Sequence, residues 1–249
     1  TGLLPHANPG TMSSREMLAL KPYNPSLGLM LESTSNALYQ NGGPHQFAPS
    51  KRPRVRIKTI DIAGQHRIPF TTGILIGIGE TLEDRIDSIL SIRKSHENHG
   101  HIQEIIIQNF RAKPDTAMAN IKDASMSDML WTIAVSRLIL GPDMNIQAPP
   151  NLNDNYERYL DAGINDWGGI SPITIDYVNP ESNWPLISQL RSKTESKGYE
   201  MRARLPVYPE YFINTQEYLP DKLLLKALSM TDRYGYVSDQ FINRIGVNN

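Results

Sequence analysis

The sequence predicts an α/β fold built on a parallel sheet, and three observations predict it. Short apolar runs alternate with longer amphipathic ones along the 249 residues. The apolar runs are continuous rather than alternating, which suits strands covered on both faces. Gly and Pro stand where amphipathic runs stop, as at Gly141-Pro142 and Gly163, the punctuation of helices that end before the next strand. Repeated strand–helix alternation fits either a doubly wound sheet or a β/α barrel.

Strands are expected at residues 2–6 (GLLPH), 27–32 (LGLMLE), 70–77 (FTTGILIG), 104–110 (EIIIQNF), 144–148 (MNIQA) and 164–171 (INDWGGIS). A helix at 13–20 follows the first. The second is followed by a helix at 53–67, which opens on a proline suited to a first helical position. After the third strand, Thr81 and Asp84 have capping-box spacing at the start of a helix over 81–99. Further helices are expected at 125–140, 153–163 and roughly 184–197. A complete β/α barrel has about eight such units, so two are expected to be missing, and the place to lose them is before Thr1. Residues 1–204 then make a partial barrel, and 205–249, with VYPEYF and the short helix DKLLLKALSM, an appended C-terminal tail.

Composition narrows the function. Lys plus Arg is 25 and Asp plus Glu is 26, so the net charge of −1 offers no basic footprint for nucleic acid and no polybasic membrane patch. No run reaches the roughly 18 uncharged apolar residues of a membrane helix, and TGLLPHANPG lacks the pattern of a signal peptide. A cytoplasmic protein is expected. There is no cysteine, so this chain can build no disulfide, thiolate nucleophile, cysteine-ligated zinc site or iron–sulfur cluster.

In both candidate folds, ligands sit at the carboxyl ends of the strands. The polar residues expected there are His6 and Asn8, then Glu32 with residues 33–35, then residues 77–80. Gln108, Asn109, Arg111 and Lys113 follow the fourth strand, Gln147 and Asn151 the fifth, and residues 166–171 the last. Arg56, in the first turn after Pro53, points near the same face. An ionised Glu32 can accept two hydroxyl hydrogen bonds at once, as a ribose diol offers, and the Arg56 fork can grip a carboxylate. His6, Asn109, Arg111 and Gln147 are expected substrate contacts from their strand-end positions. Each has a plainer alternative as a paired strand-end, surface or loop residue. His96, His99 and His101 cluster without a carboxylate to complete a metal site. No Ser-His-Asp elbow, HExxH or paired-carboxylate constellation can be picked out.

The stretch GILIGIGET (73–81) places glycines within a strand, which marks close approach of another backbone or a ligand. It is not a dinucleotide fingerprint, because Leu82 stands where a glycine is needed, and it lacks the Lys-Ser/Thr end of a P-loop. The residues alone lead to an α/β-barrel enzyme with a nucleotide-like ligand on residues 73–80.

That stretch resembles the GxIxGxxE motif on the fifth strand of radical S-adenosylmethionine enzymes, with Leu75 in the Ile slot. Together with LLPHANPG, MLESTS, IPFTTGILIGIGET, QNFRAKP, LGPDMNIQAPPNL and AGINDWGGISP, the chain to about Tyr211 closely resembles one family of that superfamily. It is the first subunit of 7,8-didemethyl-8-hydroxy-5-deazariboflavin synthase. The resemblance implies a radical S-adenosylmethionine β/α barrel of which strands three to eight are present. It implies Glu32 on the ribose hydroxyls of S-adenosylmethionine, Arg56 on its methionine carboxylate, and Gly73, Gly77 and Ile78 along the adenine.

The implied reaction forms the deazaflavin from the adduct of tyrosine's hydroxybenzyl group with a ribityl-diaminouracil, releasing 5′-deoxyadenosine, methionine and ammonia. It is a carbon–nitrogen lyase reaction of deazaflavin coenzyme biosynthesis. The implied partners are the sister radical subunit that supplies the adduct and an electron donor such as a flavodoxin or ferredoxin. The family holds a 4Fe-4S cluster on a CxxxCxxC loop after its first strand, so these 249 residues are expected to be the C-terminal part of a longer enzyme with those cysteines upstream of Thr1. Two rivals stand beside this reading. One is a cluster-less, non-catalytic paralogue that scaffolds the sister subunit. The other is an unrelated aldolase or isomerase, which needs a strand-borne lysine or metal site, and the expected strand cores contain no lysine.

Overall fold

A computed structural model describes residues 2–245 apart from 172 and 214. Five strands pair in chain order, all parallel: β1 His6–Ala7, β2 Ser26–Gly28, β3 Phe70–Ile76, β4 Ile102–Asn109 and β5 Ile146–Gln147. A parallel bridge from Gln147 to Asp166 adds a sixth position, and one from Glu32 to Ile74 carries the chain after β2 along β3. The expected α/β fold, part of a β/α barrel, is what forms.

Eight helices are described: α1 Ser14–Leu20, α2 Pro53–Gln65, α3 Leu82–His99, α4 Met126–Leu140, α5 Arg158–Ala162, α6 Ile187–Ser196, α7 Asp221–Met230 and α8 Asp239–Ile245. The sheet's outer face buries Leu27, Ile74, Ile76, Ile105 and Ile107 against Ile60 of α2, Ile89 of α3 and Ile133 of α4. Each such aliphatic side chain contributes about 2 kcal/mol of burial free energy, so this face anchors the framework.

The structure departs from the sequence reading in three places. The first strand begins at His6 rather than ending there, because Leu4 packs against the C-terminal segment and Pro5 has no N–H for a ladder. The last strand is reduced to the bridge at Asp166. The Asp166 carboxylate accepts the Gly168 N–H at 2.5 Å, an Asx turn that ends pairing. The helix expected over 153–163 is cut to α5, since the Asn153 side chain accepts the Asn155 N–H and closes a turn first.

The C-terminal segment has a core of its own. Leu205, Val207, Tyr208, Tyr211, Phe212, Leu219, Leu223 and Leu224 cluster together, and Leu4 packs on them. It sits under the N-terminal end of β4. The Tyr211 and Tyr218 hydroxyls donate to the Gly100 carbonyl at 3.2 and 3.0 Å, and Gln103 Nε2 donates to the Pro206 carbonyl at 3.2 Å. Among the described residues, no helix is long and apolar enough to cross a membrane.

Candidate active site

The site is built around Glu32. Its N–H donates to the Gly73 carbonyl at 3.0 Å and its carbonyl accepts from Leu75 N–H at 2.9 Å, so it lies beside the glycine of β3. The fold thereby brings Glu32 and Gly73 together, as the resemblance implies. Glu32 adopts φ +67°, a left-handed conformation uncommon for a residue with a Cβ.

The 24 residues that follow Glu32, up to and including Arg56, return three cationic or imidazole side chains to that carboxylate. Arg56 Nη1 donates to Oε1 at 2.9 Å, Lys51 Nζ donates to Oε2 at 2.8 Å, and His45 Nε2 lies 3.2 Å from Oε2. The Tyr39 ring lies 5.3 Å from that of His45, tilted by 49°, and its hydroxyl donates to the Lys51 carbonyl. A 3₁₀ turn over Pro49–Lys51 runs straight into Pro53 at the start of α2, which fixes both Lys51 and Arg56. Burial works against the charge on Glu32, but hydrogen bonds from His45 and Lys51, with the charges of Arg56 and Lys51, outweigh it and hold the carboxyl down to about 2. Burial and the Glu32 charge push the Tyr39 hydroxyl up to about 12.

Arg56 is more committed than the sequence reading expects. Nε donates to the Ser50 carbonyl at 3.2 Å, and Nη1 also donates to the Met30 carbonyl. The side chain is only 9% exposed. Nε and Nη1 are thus engaged on the strand end and on Glu32, while Nη2 has no hydrogen-bond partner among the described residues.

The glycines of GILIGIGE have reasons within the chain itself. A Cβ on Gly73 would come 2.1 Å from the Ile106 carbonyl of β4, so the close approach is that of the neighbouring strand. Gly77 sits at φ +90°. The Glu80 carboxylate turns back into this loop, accepting the Gly77 N–H at 2.8 Å and the Ile78 N–H at 2.9 Å, while Arg85 Nε donates to it at 2.8 Å. Ile78 is buried at the loop's centre. A Cβ on Gly79 of this loop would lie 3.8 Å from Leu38 Cδ2, in the excursion that carries His45 and Lys51.

The four expected substrate contacts are dispersed. His6 lies at the start of β1, not at a carboxyl end, and its Nδ1 is 2.6 Å from Ser26 Oγ; burial depresses its ring to about 4. Asn109 ends β4 with a buried Oδ1 that has no partner among the described residues. Arg111 reaches Asp123 at 3.4 Å, and Gln147 is a buried residue on β5. None of the four contacts Glu32.

Of a second polar cluster, the sequence reading named only His6 and Asp166. Arg204 binds Asp166 through both Nε (2.5 Å) and Nη2 (3.0 Å), and donates to Glu104 at 2.8 Å. Tyr208 and Thr71 hydroxyls also donate to Glu104, at 3.0 and 3.1 Å. Burial pushes the Glu104 carboxyl up to about 7, with Arg204 opposing and Asp166 adding to the shift. His6, Thr71, Glu104, Asp166 and Arg204 line a cavity of about 1370 Å³. The signal that could have found this cluster was a carboxylate opening the apolar run EIIIQNF.

No family model matches this chain. It is 50% identical over 234 residues to an FO synthase of Streptomyces avermitilis, covering 93% of this chain and 27% of that protein. An FO synthase of Mycobacterium tuberculosis is 54% identical over 214 residues, 85% of this chain and 25% of that protein. The 7,8-didemethyl-8-hydroxy-5-deazariboflavin synthase of Methanopyrus kandleri is 51% identical over 210 residues, 84% of this chain and 63% of that one. The chain thus spans about a quarter of the length of the first two relatives and under two thirds of the third. Among solved structures, methylornithine synthase (PylB) shares the fold, with a TM-score of 0.60 over 80% of this chain and 59% of that one at 21% identity. By sequence, therefore, the chain is a homologue of a segment of the FO synthases.

Proposed function

We propose that this chain is the S-adenosylmethionine-binding part of a radical enzyme that forms the deazaflavin 7,8-didemethyl-8-hydroxy-5-deazariboflavin. The observation that carries the reading is the pairing of Glu32 with β3 at Gly73, in a chain about half identical to FO synthases. The residues present fit S-adenosylmethionine: a carboxylate held ionised for hydroxyl donors, cations beside it, and the partly buried Leu75 on the adjoining strand. Bound there, S-adenosylmethionine would supply the one-electron, hydrogen-abstracting chemistry. Glu32 would orient its ribose, residues 73–78 would give its adenine an apolar bed, and Arg56 would keep Glu32 ionised and aimed.

The residues present do not fit a 4Fe-4S cluster, because the chain has no cysteine. Its thiolates would come from sequence outside these 249 residues. The tyrosine–ribityldiaminouracil adduct as substrate, loss of ammonia as the lyase step, and a sister radical subunit with a flavodoxin or ferredoxin as partners all belong to this proposal. So does residence in the cytoplasm.

Calorimetric titration of S-adenosylmethionine into the purified chain tests it. Saturable binding that Glu32→Gln weakens at least tenfold is expected. No binding by a folded chain would overturn the reading. It would favour the scaffolding paralogue.

A further inference from the structure

We propose that the carboxamides of Gln147 and Gln108 read the pyrimidine-2,4-dione ring of the substrate. This rests on the reading of the chain as part of a deazaflavin-forming enzyme, and it assigns the residues that recognise the heterocycle. Side chains alternate across a strand. On β4, Ile105 and Ile107 lie on the outer face against the helices, so Glu104, Ile106 and Gln108 take the inner one. On β5, Ile146 pairs with Ile105 and is buried with it, while Gln147 pairs with Ile106 and shares the inner face. Gln108 in turn pairs with Leu75, whose N–H donates to the Glu32 carbonyl. Neighbouring strands lie about 5 Å apart, so the two glutamines stand one and two strands from β3, beside which Glu32 lies. A ligand held there is where a radical formed at Glu32 must find its substrate.

Both carboxamides are unspent. Neither has a side-chain hydrogen-bond partner among the described residues, and neither is wholly sealed from open space. Gln147 is only 9% exposed, and a buried amide that finds no partner is costly. Its place is set by Gly168, at φ +78°, where a Cβ would lie 2.0 Å from Gln147 Nε2. The amide thus lies against a bare glycine. Asp166 accepts the N–H of that glycine, and Arg204 holds Asp166. A carboxamide presents a donor and an acceptor side by side. Its complement is a ring edge with an N–H beside a C=O, which a pyrimidinedione offers at N3 and C4. Gln147 makes that two-point pair, and Gln108 donates to the remaining carbonyl at C2. Both side chains are uncharged, which suits a neutral ring rather than a carboxylate or a phosphate.

The test is titration of the whole chain with three ligands: S-adenosylmethionine, 7,8-didemethyl-8-hydroxy-5-deazariboflavin, which carries the pyrimidinedione, and the N3-methyl form of that deazaflavin. Wild type is expected to bind the parent deazaflavin roughly tenfold more tightly than the N3-methyl form, the worth of one lost hydrogen bond in a closed site. Gln147→Met should lose that preference, bind the two forms alike and change little for S-adenosylmethionine. Gln108→Met should weaken both deazaflavins together. A melting curve confirms that each variant folds, and the wild-type preference decides even where one does not. If wild type binds the two deazaflavins equally, or binds S-adenosylmethionine alone, the assignment is overturned while the reading of Glu32 stands. The same holds if a folded Gln147→Met keeps the preference. If wild type binds none of the three, the reading of the site fails, and this inference with it.

Discussion

Glu32 shows how much one residue carries. A left-handed non-glycine conformation costs about 1 kcal/mol or more and persists only where its surroundings fix it. Here they do, through two backbone bonds to β3 and three side chains on one carboxylate. Glu32→Gln keeps the shape but leaves Lys51 and Arg56 without their counter-charge. Removing one member of a buried ion pair costs roughly 3 kcal/mol, and that loss is the expected result in urea unfolding at neutral pH. The folded carboxyl lies well below its ordinary value, so Glu32 contributes stability that is present above about 4.5 and is lost as pH falls toward about 2. The gap between wild type and Glu32→Gln should narrow over that range. The position of Glu32 was legible as the last residue of an apolar run. Its partners Lys51 and His45 were not, because the excursion that carries them has no strand or helix periodicity to place them.

At the scale of elements, the turn from β3 into α3 rests on two adjacent residues of unequal weight. Thr81 caps α3, accepting the Asp84 N–H at 3.1 Å while Asp84 accepts the Thr81 N–H at 2.9 Å. This motif was readable from its three-residue spacing, and Thr81→Ala should cost about 1 kcal/mol. Glu80 accepts two loop N–H groups and pairs with Arg85, which is 9% exposed. Glu80→Ala should cost roughly 3 kcal/mol, since it strands a buried guanidinium and opens two backbone donors. Chemical denaturation of the two variants side by side decides the ranking. Equal losses would mean that Asp128, 3.3 Å from Arg85, suffices to hold it. From the sequence, Glu80 reads only as the motif's last letter. That it binds its own loop is tertiary geometry, set by the positive φ of Gly77 and Gly79.

At the scale of the molecule, the C-terminal segment is bound to the sheet through one buried polar knot as well as through apolar packing. Tyr208 comes from that segment and Arg204 from the position just before it, Thr71 and Glu104 from β3 and β4, and Asp166 from the sixth strand position. Nothing in residues 205–249 announces this in sequence, since the contacts join positions about a hundred apart. Two carboxylates share one guanidinium there, and burial leaves Glu104 the one that favours its proton. Its carboxyl is raised in the fold from 4.5 to about 7. The stability it contributes is therefore fully present below about 4.5 and is lost as pH rises through about 7. Other groups act in the opposite sense over part of this range, His6 among them, because its ring is depressed by burial and it stabilises more as pH rises. The informative quantity is thus the difference between wild type and Glu104→Gln, in which the amide imitates the protonated acid. From pH 4.5 to 7 that difference should shift in favour of the variant, by up to about 1.4 kcal/mol per pH unit. A difference that stays flat would mean that Glu104 keeps its charge beside Arg204 throughout, and that the segment is seated by a fully ionised knot.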